Sequence, residues 1–154
     1  MNRQKMMALV AHDNMKHDLA EWVDWNCEKL SKHRIVCTGT TGKIVEETLL
    51  NHSASHHYEQ PALDITRLKS GPLGGDQQIG ARIAYNEIDM VLFFNDPRDE
   101  KSCESVSYIS RLCDQNNIPF ASNVATAEML VLGLSRGDLD WRDIVNPKTK
   151  PFTA

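Results

Sequence analysis

The chain has 154 residues, of which 41% are hydrophobic and 25% charged, and its net charge is −4. That size suits a single domain, residues 1–154, with a core of fair extent. The acidic balance argues against nucleic-acid or membrane-surface binding, both of which need a basic face, and no apolar run is long enough to span a membrane.

Residues 1–5 are short and polar and do not read as a signal peptide. Residues 6–11 (MMALVA) form a continuous apolar run, as expected of a strand buried on both faces. His12, Asp13 and Asn14 follow, and Met15, Leu19, Trp22, Val23 and Leu30 recur at helical spacing, predicting a helix over about 14–30. Trp22 and Trp25 read as packing residues. Residues 34–38 (RIVCT) predict a second strand, residues 39–42 a turn, and residues 43–50 a helix. Residues 51–60 are polar and His-rich, a surface loop in which His52 and His56 have the spacing of a metal pair only if helical. Residues 63–68 predict a third strand, and after the loop at 70–78 a helix opens near Asp76 and runs to about 86. Residues 88–94 (IDMVLFF) are the strongest strand signal, followed by Asn95-Asp96-Pro97 and a charged loop at 98–102. Val106, Ile109, Leu112 and Cys113 mark a helix ending near 116–117, residues 118–122 a fifth strand, and residues 124–134 an apolar helix. The four cysteines, Cys27, Cys37, Cys103 and Cys113, form no C-x-x-C pair and read as reduced thiols in a cytosolic protein.

Strand and helix alternate about five times, which calls for a parallel α/β sheet covered by helices on both faces. Ligands bind such sheets at the carboxyl ends of the strands. There the chain places His12-Asp13, residues 38–42, residues 70–76 and Asp96. Thr38, Gly39, Thr40 and Thr41 lead into a helix, where free N–H groups and the helix dipole favour an anion; the alternative is an ordinary Thr cap. Lys16 falls in the first turn of its helix, a place disfavoured for a cation unless a phosphate is bound or water solvates it. Ser70-Gly71-Pro72 with Gly74-Gly75 makes a loop that backbone and ligand can approach closely. Asp76 behind it is either an N-cap or a catalytic carboxylate. Asp13 and Asp96 are further carboxylates or turn formers, and His12 a ligand donor or a turn residue. Phosphate-binding elements with carboxylates, and no recognisable Cys or Ser triad, suit proton abstraction next to a carbonyl in a small phosphorylated substrate.

These stretches resemble the methylglyoxal synthase family. The resemblance rests on Leu9-Val10-Ala11-His12-Asp13 with Lys16, Thr38-Gly39-Thr40-Thr41-Gly42, Ser70-Gly71-Pro72 with Gly74-Gly75-Asp76-Gln77-Gln78, Phe93-Phe94 before Asp96-Pro97, and Ser122-Asn123-Val124 before Ala125-Thr126-Ala127, in family order over about residues 8–132. It implies a three-layer α/β/α domain with a five-stranded parallel sheet, order 3-2-1-4-5, in cytoplasmic homo-oligomers, usually hexamers. It implies a metal-free, cofactor-free carbon–oxygen lyase that converts dihydroxyacetone phosphate to methylglyoxal and inorganic phosphate, with phosphate as product and inhibitor. By motif, Asp76 would be the base. Lys16, Thr38, Gly39, Thr40, Thr41, Ser70 and Gly71 would hold the phosphate and nearby oxygens, His12 would contact substrate, and Asp13 and Asp96 would support the site. Where the family continues to Pro-His-Asp-Pro-Asp, this chain has residues 98–105 (RDEKSCES), roughly one residue shorter and without the histidine. Arg98, Lys101 and Ser102 are then candidate donors to the substrate oxygen. The alternative function is a non-catalytic module that binds a phosphorylated metabolite.

Overall fold

A computed structural model describes residues 4–55 and 63–142 of the chain. Strands β1 (Met6–Ala11), β2 (Arg34–Cys37), β3 (Ile65–Arg67), β4 (Met90–Phe94) and β5 (Phe120–Ala121) form one parallel sheet in the order 3-2-1-4-5. The central strands are apolar at every position because both faces are covered: all six residues of β1 and all five of β4 are buried. Leu9 sits in register between Cys37 of β2 and Leu92 of β4.

Alternate residues of each strand serve opposite cores. Met7, Leu9, Met90, Leu92 and Phe94 face one side. There they meet Leu19, Trp22 and Val23 of α1 (Lys16–Trp25), Val45 and Leu49 of α3 (Gly39–Ser55), and Val131 of α6 (Val124–Ser135). Ala8, Val10, Val91 and Phe93 face the other side, against Ile79 and Ile83 of α4 (Gly75–Ala84) and Ile109 and Cys113 of α5 (Glu100–Gln115). The result is the three-layer α/β/α arrangement with the expected strand order. Trp22, 1% exposed, packs its ring 5.4 Å from that of Phe94. Burial pushes the Cys37 and Cys113 thiols up to about 12, so neither is a nucleophile near neutrality.

Several boundaries differ from expectation, among them β3 and β5, which are shorter than the expected 63–68 and 118–122. The helix expected over 14–30 is a 3-10 turn (Asp13–Met15), then α1, then the short α2 (Cys27–Leu30). The break falls at Asn26, whose side-chain amide donates to Trp22 O at 3.0 Å and to Glu128 Oε1 at 2.7 Å, competing with the helical ladder. Trp25, at the end of α1, is 73% exposed and not a packing residue. Residues 39–42 are the first turn of α3 rather than a separate turn, and α3 runs on through the expected loop to Ser55. His52 is therefore helical and pairs with Asp24 at 2.8 Å, while His56 and His57 lie outside the described residues. The charged loop expected at 98–102 is mostly helix: Asp99 accepts from Lys101 N at 2.9 Å and Ser102 N at 3.3 Å, so α5 starts at Glu100.

The segment after α6 is tied to the amino end of the sheet. Arg142, 2% exposed, donates to Asn117 O and Asn86 Oδ1, each at 2.8 Å, and lies 3.6 Å from Asp89. No described helix is long and apolar enough to cross a membrane.

Candidate active site

The turns that leave β1, β2, β3 and β4 at their carboxyl ends surround a cleft of about 550 Å3. Helices α1, α3, α4 and α5 all begin at this edge, so their positive dipole ends gather there. His12, Asp13, Lys16, Thr38, Gly39, Thr40, Thr41, Ser70, Gly71 and Asp76 all line the cleft.

Two glycines make this approach of loops possible. Gly39 has φ +39°, and its N–H donates to Leu68 O and Lys69 O at 3.2 and 3.1 Å, stitching the start of α3 to the loop after β3. At Gly75 a β-carbon would lie 2.1 Å from Lys69 O, so no other residue fits behind Ser70 and Gly71. Lys16 reaches across from α1: its ammonium donates to Asp13 Oδ1 at 2.7 Å and to Thr40 Oγ1. That hydrogen bond and the ammonium's charge hold the Asp13 carboxyl below the usual carboxylate range. A cation, hydroxyls and first-turn amides on one wall form a cradle for an oxyanion.

Asp76, 9% exposed, lines the same cleft from the first turn of α4. The cap of that helix is Gly74, and the Asp76 carboxylate instead accepts from Ser105 Oγ at 2.7 Å. Capping therefore does not account for this aspartate. His12 Nε2 lies 3.6 Å from Asp99 Oδ2, and its buried Nδ1 has no hydrogen-bond partner among the described residues. Asp96 is the one expected carboxylate outside the cleft wall. It is 3% exposed and accepts from Asn14 Nδ2 at 2.8 Å and from Arg98 N and Nε at 3.1 and 3.4 Å. The bond from Asn14, then that from the Arg98 N–H, lowers its pKa. It ties the 3-10 turn after β1 to the turn after β4.

Comparison with known proteins decides the family. A family model described as an MGS-like domain matches residues 18–122. A methylglyoxal synthase of Caldicellulosiruptor saccharolyticus is 47% identical over 143 residues, covering 92% of this chain and 93% of that protein. One from Oceanobacillus iheyensis is 45% identical over 143 residues, covering 92% and 94%. The chain belongs to the methylglyoxal synthase family. The crystal structure of methylglyoxal synthase from Elizabethkingia anophelis NUHP1 superposes with a TM-score of 0.67 at 42% identity, over 83% of this chain and 77% of that one.

One part of the cleft wall comes from α5 and the aspartate that caps it. Asp99, Lys101 and Ser105 line the cleft alongside the family motifs, whereas Arg98 is turned to Asp96 with its side chain 88% exposed. Ser102 is fully buried and donates to Asn95 Oδ1 at 2.6 Å. Of the three candidate donors in this segment, only Lys101 faces the cleft. Asp99 and Ser105 were not singled out as site residues in the sequence. A signal was present: Ser102, Ile109 and Cys113, all buried, repeat at helical spacing, which carries the helix back a turn before Val106.

Proposed function

We propose that this chain converts dihydroxyacetone phosphate to methylglyoxal and inorganic phosphate. The phosphoryl group rests in the cradle of Lys16, Thr38, Gly39, Thr40, Thr41, Ser70 and Gly71, and His12 contacts the substrate. Asp76 removes a proton from the hydroxymethyl carbon. The electron pair of that C–H bond forms the enediolate, whose collapse breaks the bond from the far carbon to the phosphate oxygen. Phosphate leaves with the bonding pair and takes up the proton of the former hydroxymethyl O–H as the aldehyde forms, and the remaining enolate takes a proton at the far carbon to become methylglyoxal. Asp13 and Asp96 hold the donors in place, Asp13 through Lys16 and Asp96 through the turns after β1 and β4.

The observation that carries this reading is that one cleft is lined both by a nearly buried carboxylate that caps no helix and by an anion cradle. Membership of a family whose relatives are named for the activity supports it. We further propose a cytoplasmic homohexamer inhibited by its phosphate product. Incubating the purified chain with dihydroxyacetone phosphate, and following methylglyoxal and phosphate release together, tests the reading. Equal release of both supports it. Binding of the substrate with no release of either makes the chain a phosphometabolite-binding module instead.

A further inference from the structure

The two oxygens of the Asp76 carboxylate have different surroundings. Oδ2 accepts from Ser105 Oγ at 2.7 Å. Oδ1 lies on the side of Gly71, where a β-carbon would stand 3.1 Å from it and 3.5 Å from Oδ2. Gly71 belongs to the loop whose backbone walls the cleft. The terminal torsion of an aspartate is broad and roughly two-fold, so a carboxylate without a partner does not keep one oxygen aimed at a substrate. Here the partner sits on a firm element. The start of α5 is held by the Asp99 cap and by the 2.6 Å bond from Ser102 Oγ to Asn95, the residue after β4.

We infer that Ser105 is a positioning residue for Asp76: its hydroxyl occupies Oδ2 and turns Oδ1, on the Gly71 side, toward the substrate as the atom that takes the proton. This rests on the proposed role of Asp76 as base. In the step itself Ser105 keeps its own proton throughout. The proton lost from the hydroxymethyl carbon goes to Oδ1, and the C–H electron pair goes into the enediolate. A misplacement of about 1 Å in a reacting group can slow a reaction about 10²-fold, which sets the scale of the effect.

The test compares the full-length parent with Ser105→Ala and Ser105→Thr. The readouts are kcat and KM for dihydroxyacetone phosphate, the inhibition constant of inorganic phosphate, and the deuterium isotope effect with substrate labelled at the hydroxymethyl carbon. Ser105→Ala is expected to lose about 10–100-fold in kcat with the phosphate inhibition constant little changed, and to show a larger isotope effect because proton removal now limits turnover. Ser105→Thr keeps the hydroxyl and is expected to recover most of kcat. Parental kcat and isotope effect in Ser105→Ala would overturn the inference. So would a threonine variant as slow as the alanine one, or a loss of phosphate binding as large as the loss of kcat. A parent chain that releases no methylglyoxal overturns the proposed function itself, and the role of Ser105 with it.

Discussion

On the proposed mechanism Lys16 supplies a cation to the phosphate cradle, and the effect of its removal can be sized from its surroundings. Its side chain is 22% exposed, so its field on a bound phosphate is only partly screened by water. A hydrogen bond between charged groups contributes about 1.5–3 kcal/mol. At about 1.4 kcal/mol per factor of ten, Lys16→Ala should weaken competitive inhibition by inorganic phosphate roughly 10–150-fold. The substrate carries the same group, and phosphate gains charge as it leaves, so kcat/KM should fall at least as far. Asp13, the partner left behind, has a side chain 87% exposed and is hydrated by water, so the variant should fold with an unfolding midpoint near the parent's. Steady-state inhibition with phosphate, alongside a thermal melt, makes the measurement. A folded variant with the parental inhibition constant would remove Lys16 from the anion site and refute the cradle.

Asp76→Asn retains shape and hydrogen-bonding capacity but cannot accept the proton, so kcat should fall by roughly 10²–10⁴ while phosphate still inhibits; parental turnover would rule out its role as base. A donor aimed at a developing oxyanion is worth about 10²–10³ in turnover. Lys101→Ala should therefore slow the reaction toward that range, whereas Arg98→Ala, whose side chain points away, should stay near the parent; the reverse ranking of kcat would contradict the geometry. Burial first, and then the charge of Lys5, push the pKa of His33 below its usual value, and its Nδ1 accepts from Lys5 N at 2.9 Å, a bond that only the deprotonated nitrogen makes. The unfolded chain then binds the extra proton, so this contribution to stability is complete above about pH 6.5 and is lost as pH falls below it. His33→Asn keeps an acceptor without a titration, and urea melts between pH 7.5 and 5.5 should show a flatter dependence for it than for the parent.

Much of the architecture was legible because the central strands must be apolar on both faces. Residues 6–11 match β1 to the residue, and the apolar run around Val91 and Phe93 marks β4. The glycine loops were equally readable, since the clash distances at Gly39 and Gly75 leave no alternative side chain there. Helix starts were harder. At 39–42 the residues Gly-Thr-Thr-Gly have turn composition, yet the first turn of α3 is built from them because Gly39 is pinned to the loop after β3. At 98–102 the run of charges reads as solvent-facing, yet Asp99 caps a helix whose next turn puts Ser102 in the core and Ser105 in the cleft.

That last difference has a topological origin. The contact between Asp76 and Ser105 spans 29 positions of sequence, and no periodicity within either segment encodes it. It follows from the strand order. With β3 at one edge and β4 beside β1, the connection through α4 crosses back over β2 and β1. Right-handed crossovers lay α4 and α5 side by side on one face, where Ile79, Ile83, Ile109 and Cys113 share a core. Their first turns then meet at the carboxyl edge of the sheet, one bringing the carboxylate and the other the hydroxyl. Alternation of strand and helix predicts that strand ends converge, but not which helix start stands beside which. The segment 98–105 thus lies against Asp76 through Ser105. On the proposed mechanism, a change at Ser105 acts on proton removal through Asp76, whereas Lys16 and Thr40, which are hydrogen-bonded to each other on α1 and α3, hold the phosphate.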